Sequence, residues 1–198
     1  APLAPGSRAV VFGAYLNEGS QVLSTSIGPD GKVVTSLGGT QITVNDIPAP
    51  ILNSTPSQVS IQIPFEMAGQ GTALVAVTVG GQTSIPRSVN IASTAPGFFT
   101  RNEAGTGEAF VMHEDGVTLV TPENPARRNE VVVFSLTGLG ALDPPLGTGV
   151  PAGANAATEQ ISLMFGTANA VIEFAGAAPG SVGLNQIKAR VPAAAPTG

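Results

Sequence analysis

Apolar residues alternate with polar ones along much of this chain, and the alternation has the two-residue period of half-buried strands. Val59, Ile61 and Ile63 fall on one side while Gln58, Ser60 and Gln62 fall on the other. Val75, Val77 and Val79 repeat the pattern and end at Gly80-Gly81-Gln82, a hairpin signal; Ile42 with Val44 and Val89 with Ile91 add two more strands. The later part of the chain offers Val132 with Phe134, Ile161 with Leu163, and Ile187, Ala189 and Val191. Pro64 and Pro192 close their strands, because proline has no N–H to give a ladder. Pro29-Asp30-Gly31 and Glu114-Asp115-Gly116 supply tight turns in which glycine takes positive φ.

Helices are excluded by punctuation. The chain of 198 residues carries 25 Gly and 17 Pro, and its longest stretches free of both, 126–137 and 154–165, include the β-branched run Val131-Val132-Val133. Breakers spaced every 8–12 residues or so between alternating segments predict an all-β sandwich.

The chain also repeats itself. Gln58–Pro64 returns as Gln186–Pro192, each copy running on to a glycine (Gly69, Gly198), and Val10-Val11-Phe12 is echoed by Val132-Val133-Phe134. A period of about a hundred residues denotes a duplicated domain, since solenoid units repeat every 20–50 or so. The expected architecture is two tandem sandwich modules, 1–94 and 95–198, with the boundary near Ser93–Gly97 and an extra hairpin at about 107–121 in the second. After Gly69 the first copy continues through two more strands, Thr72–Val79 and Gln82–Ala92. The second copy lacks this terminal hairpin. A trimmed chain explains that, and an open edge able to take a partner's strand is the sharper alternative.

Charged residues make up only 11% of the chain, against roughly 25% in an average soluble protein. With 42% apolar residues and a net charge of −5, the chain belongs to the folded class. The acidic balance argues against a nucleic-acid partner. No apolar run approaches the ~20 residues of a membrane-spanning helix. There are no cysteines, so neither disulfides nor thiolate chemistry enter. The chain opens at Ala1 with neither methionine nor a signal-peptide pattern, as an excised piece of a longer protein would.

Candidate chemistry is sparse. His113 is the only histidine, and no Gly-x-Ser-x-Gly elbow accompanies it, so a hydrolytic triad has little to build on. His113-Glu114-Asp115 is better explained as a turn than as a metal site, because one histidine leaves zinc short of ligands and the calcium-loop pattern is missing. The carboxylates are scattered, and the glycine pairs precede no helix that could hold a phosphate. Arg127-Arg128 reads as a solvated strand entry, and the formal glycosylation sequon Asn53-Ser54-Thr55 is followed by an unfavourable proline. No catalytic residue, metal or cofactor is expected. A sugar platform needs exposed flat rings, and the chain has no Trp, one Tyr (Tyr15) and eight Phe. Phe98 and Phe99 are adjacent, so both cannot face one core, and one of them is expected at the contact between modules. The candidate contact surface is Tyr15, Phe98 and Phe99, with Leu139, Leu142 and Asp143 as loop residues near the tips of the second module.

Pro5-Gly6-Ser7-Arg8-Ala9-Val10-Val11-Phe12-Gly13, followed by a Gly-Gly strand and a Gln…Pro strand ending in glycine, resembles the Ig-like TIG/IPT fold; Val131–Gly138 with Arg190-Val191-Pro192 shows the pattern again. A resemblance covering nearly the whole chain is to the uncharacterised C-terminal domain of large secreted proteins of Solibacter-type acidobacteria. It is carried by Leu37–Thr40, Ala49–Leu52, Ser57–Val59, Ala95–Thr100, Thr137–Gly140, Ala178–Gly180 and Gly183–Gln186. The resemblance implies a secreted, extracellular or cell-surface location and tandem Ig-like modules, and it brings no catalytic residues. The expected function is a non-catalytic spacer, adhesion or attachment module, its partners being other domains of a parent protein and a cell-surface protein or polysaccharide. The alternative is a carbohydrate-binding accessory module of an extracellular polysaccharide-degrading enzyme.

Overall fold

The computed structural model describes residues 1–19, 22–102 and 105–196; Gly198, the closing glycine of the second repeat, lies outside them. The first half contributes β1 (Arg8–Phe12), β2 (Leu23–Ser24), β3 (Ser36–Leu37), β4 (Thr40–Val44), β5 (Ile47–Pro48), β6 (Ile51–Ser54), β7 (Gln58–Gln62), β8 (Thr72–Val79), β9 (Gln82–Thr83) and β10 (Arg87–Asn90). The second contributes β11 (Gly97–Phe98), β12 (Val111–His113), β13 (Val131–Thr137), β14 (Leu142–Asp143), β15 (Ala156–Ala157), β16 (Met164–Phe165), β17 (Ala168–Asn169), β18 (Val171–Ala177) and β19 (Asn185–Arg190). One 3-10 turn, Phe65–Met67, is the helical content of the described residues. The chain is all-β with antiparallel sheets, as the alternation and the breakers require.

In the first half a sheet in the order β1-β7-β6-β2 faces a second in the order β10-β8-β4-β3, with β5 added to β4 and β9 to β8. Ile42 and Val44 of β4 and Ala73 of β8 meet Ile51, Val59 and Ile61 of the facing sheet in one buried cluster, a sandwich-like layering. A parallel bridge joins Leu3 to Ile91. Leu3 donates to the Asn90 carbonyl at 2.9 Å and accepts from the Ala92 N–H at 2.9 Å.

The second half is built on a seven-stranded sheet, β11-β13-β19-β18-β15-β14, with β12 also pairing β13. Its inner face, including Val132, Phe134, Leu136, Ile187 and Ala189, is covered by Ile161, Leu163, Phe165 and Ala170 around the β16–β17 hairpin. The ring of Phe134 sits between Phe98 and Phe165, with centroids 5.5 and 5.8 Å away. Val120 donates to the Val111 carbonyl and His113 to that of Thr118, which forms a short hairpin across Asp115-Gly116 whose first strand lies on β13.

The duplication is legible in the ladders, with one change of phase. β1 pairs with β7 as β13 pairs with β19: Val11↔Val59 and Phe134↔Ile187 are the same rung, as are Phe12↔Gln58 and Ser135↔Gln186. β7 and β19 therefore keep the offset of 128, but Val11 falls on Phe134, an offset of 123. The echo of Val10-Val11-Phe12 in Val132-Val133-Phe134 is out of step by one residue, and one residue in a strand exchanges the two faces. β6 and β18 match as well. Each carries a bulge on its partner, between Ile51 and Asn53 in one and between Ile172 and Phe174 in the other. A bulge kept at the same rung of both ladders is a feature of the shared unit.

The halves meet along a polar seam. Arg8 N–H donates to Thr137 Oγ1 at 2.8 Å, and Arg8 Nε to the Val182 carbonyl at 3.1 Å. Gly149 N–H donates to Oε1 of the fully buried Gln62 at 2.8 Å, and the Gly149 carbonyl accepts from Val33 N–H at 2.8 Å. Thr148 accepts from Phe65 N–H and donates to Glu66. Beside these bonds Leu142, Ala152 and Ala177 form a small apolar cluster with Phe65 and Leu146.

Candidate functional site

β1 and β10 are edge strands of the two sheets of the first half, and the sandwich gapes between them. The opening is a groove of about 700 Å³, within the range of ligand and peptide sites. Its floor is the inward row of each sheet: Ala9, Val11, Ile61 and Ile63 on one wall, Val75, Val77 and Val89 on the other. Its rim carries exposed apolar side chains, Phe12 at 75%, Tyr15 at 87% and Ile85 at 83%. Contiguous exposed apolar surface of this kind marks an interaction site more often than chance.

The position of Tyr15 follows from its neighbours. Gly13 N–H donates to Ser57 and Leu16 N–H to Pro56, which pins the loop after β1 onto the entry to β7. Leu16 is buried, and its carbonyl accepts a short hydrogen bond from the Thr40 hydroxyl. The turn that sends Leu16 inward holds Tyr15 at φ 56, in the left-handed region, and leaves its ring in solvent. Gln82, Thr83 and Ser84 add polar groups to the same rim.

The other expected contact residues are dispersed. Phe98 and Phe99 part, as adjacent strand residues must. Phe98 packs against Phe134 with its ring tilted by 52°, and Phe99 lines a groove of about 470 Å³ between the halves, together with Arg8, Asn53 and Val182. Leu139 and Leu142, expected at exposed loop tips, are instead buried, at 3% and 6%. Leu139 N–H bonds to Asn185 Oδ1 and its side chain joins the core; Leu142 packs in the seam cluster. Asp143 is exposed and precedes Pro144 through a cis peptide. Local sequence marked these as loop residues, but Leu139 is drawn into the core of its own half and Leu142 into the cluster that includes Phe65 of the first half.

His113 belongs to a structural clasp. Its Nδ1 makes a short hydrogen bond with the Glu130 carboxylate, whose other oxygen accepts from Arg127 N–H at 2.7 Å. Nε2 lies 3.0 Å from Asn124 Nδ2 and 3.2 Å from the Asn124 carbonyl, so a neutral ring accepts from the amide and a charged ring donates to the carbonyl. The bond to Glu130 is the main cause that raises the His113 pKa above its ordinary 6.5, and Glu130 is held low chiefly by Arg127 N–H. Asp115 is lowered to about 2 by the Thr118 hydroxyl and by the N–H groups of Val117 and Thr118. Among the described residues no cluster of three or more His, Cys, Asp or Glu side chains is placed to hold a metal ion.

The clasp gives a pH prediction. Because the His113 pKa is raised on folding, its contribution is complete below its ordinary value of 6.5 and is lost as pH rises through the folded value. On the acid side it fades as pH falls through the depressed Glu130 value. An NMR titration of the His113 ring should show a midpoint above 6.5 that falls back towards it in Glu130→Gln. An unchanged midpoint in that variant would show that the clasp does not set the titration.

Comparison with protein-family models, with curated proteins and with solved structures found no match. The functional reading therefore rests on the chain itself.

Proposed function

We propose that this chain is a tandem pair of Ig-like modules, spanning about 1–94 and 95–198, that serves a larger secreted protein as a non-catalytic adhesion or surface-attachment unit. The observation that carries this reading is the apolar groove of the first half with its rim of Phe12, Tyr15 and Ile85. A spacer needs no such surface, and the aliphatic floor suits polypeptide side chains better than hydroxyl-rich sugars. The seam supports the same reading, because bonds from Arg8, Gln62 and Phe65 to the second half fix the groove relative to the rest of the chain.

One observation favours a second reading. Tyr15 presents an exposed ring on the groove that Gln82 also lines, and an aromatic platform with an amide in the same groove is what a polysaccharide-binding module uses.

The test is retention of the purified chain on the envelope fraction of its source and on insoluble polysaccharides, compared with Tyr15→Ala and Ile85→Ser. Both side chains are exposed, so the variants keep the fold. Envelope retention that falls about tenfold in each variant, some 1.4 kcal/mol per contact, is the expected result. Retention competed by soluble sugar and lost only in Tyr15→Ala would establish the second reading. Retention indifferent to both substitutions would remove the groove from the function.

A further inference from the structure

The outer face of the β1-β7-β6-β2 sheet carries polar and charged groups that the fold does not use up. On β1, Arg8 and Val10 alternate with the core-facing Ala9 and Val11. Val10 stands opposite Ser60 on β7, and Ser60 opposite Asn53 on β6, so the three form one row across the sheet. At one end of this face the second half is docked, and Gln62 is buried there under Gly149. Beside it the face opens into the groove of about 470 Å³ between the halves, walled by Ile27 from the first half and by Phe99 and Val182 from the second. That volume lies within the range of small-ligand sites.

Arg8 is the one ionisable residue among the described residues of this lining. Its backbone N–H and its Nε are spent on Thr137 and Val182, which fixes the guanidinium at the seam. Its two terminal nitrogens make no hydrogen bond or ion pair among the described residues. Burial pushes the Arg8 pKa down, and no carboxylate offsets that. A partly desolvated charge normally acquires a counter-ion, and this chain, with 13 Asp+Glu against 8 Lys+Arg, has acids to spare. Asn53 adds a second unused group. Its Oδ1 is sealed from solvent and its Nδ2 bonds to no described residue, so the amide meets the groove through a donor.

The walls choose among anions. One guanidinium neutralises one negative charge; a phosphate, with a charge of about −2, would leave the remainder among apolar side chains. The planar fork of a guanidinium also matches the two oxygens of a carboxylate. We propose that this groove binds a monocarboxylate bearing an apolar side group and a neighbouring acyl carbonyl, the pattern of a polypeptide's carboxyl terminus and of an N-acylated amino acid. The terminal nitrogens of Arg8 take the carboxylate, Asn53 Nδ2 donates to the acyl carbonyl, and the side group lies against Ile27 and Phe99. The site uses the outer face of β1, not the inward row that floors the groove of the first half, so it holds whatever that groove binds.

The probes are N-acetylleucine and the tripeptide N-acetyl-Ala-Ala-Leu, titrated into the full chain and followed by amide NMR shifts. The expected result is saturable binding, with shifts concentrated at Ser60, Asn53 and Ser181. N-acetylleucinamide, which lacks the charge, should bind about tenfold more weakly or worse. Val10 is 45% exposed, so substitutions there keep the fold. Val10→Asp sets a carboxylate on the same face two residues from Arg8; it should weaken both probes about tenfold without moving the melting temperature. Val10→Asn, the uncharged control, should bind like the parent. Tighter binding of the tripeptide assigns the site to a polypeptide terminus, and the reverse order to a free acid. No saturable binding of either probe, equal binding of the amide, or undiminished binding by Val10→Asp would overturn the proposal.

Discussion

Substituting Gly138 by valine is expected to cost about 3–5 kcal/mol, and to lower the melting temperature by roughly 10 °C. Gly138 follows β13 at φ +86, a conformation reserved largely for glycine, and a Cβ there would lie 2.1 Å from the Ala95 carbonyl oxygen. That oxygen belongs to backbone, and Ala95 N–H donates to the Gly138 carbonyl at 2.9 Å, so neither partner can give way without losing the bond that ties the incoming chain to the sheet. Gly116 separates the two costs. It has φ +69 with open space around its Cβ position, so Gly116→Ala should cost only the backbone strain, about 1 kcal/mol. Thermal unfolding of the two variants side by side is the measurement. Equal losses would show that the contact with Ala95 carries none of the effect.

Ile61→Ala is expected to cost about 2–5 kcal/mol, the range for truncating a buried isoleucine. Ile61 is 1% exposed and stands between Ala9 on β1 and Ile51 on β6. The second half shows how the same site accepts alanine. Its counterpart Ala189 is 0% exposed and stands between Val132 and Ile172. Ala9 and Ile61 in one half correspond to Val132 and Ala189 in the other, so volume has moved across a single rung and the core remains filled. Ala9→Val should therefore rescue part of the loss of Ile61→Ala, by about 1 kcal/mol in a double-mutant cycle followed by denaturant unfolding. A coupling energy of zero would mean that the two side chains do not share that space.

The strands were legible because their signal is local. Val59, Ile61 and Ile63 alternate with polar neighbours; the first two stand in β7, Ile63 follows it directly, and all three are buried. The repeat was legible through Gln58–Pro64, but its phase at β1 was not. Val10-Val11-Phe12 spells the same letters as Val132-Val133-Phe134, while hydrogen bonding aligns Val11 with Phe134. Letter identity among interchangeable β-branched residues says little about which face a residue takes; the ladder decides that. The candidate surface was legible only at Tyr15, the one tyrosine, in a loop after a strand. Ile85 and Phe12 gave no signal, since it is the placing of β1 and the β9–β10 connection on one groove that brings them together. The seam was invisible for a related reason. Gln62 occupies a polar position in an alternating strand and reads as solvent-facing, yet it is fully buried, with Gly149 N–H on its amide oxygen.

The bridge between Leu3 and Ile91 bears on how the chain would carry force. Leu3 lies just before β1 and Ile91 just after β10, and the two segments run parallel. Tension drawn from the start of the chain towards its second half would pull these segments in opposite directions along their common axis. Both hydrogen bonds of Leu3, to Asn90 and from Ala92, would then be loaded in shear together, and neither could open like a zipper ahead of the other. The first half is thus latched at the point where a stretched tether would begin to unravel it.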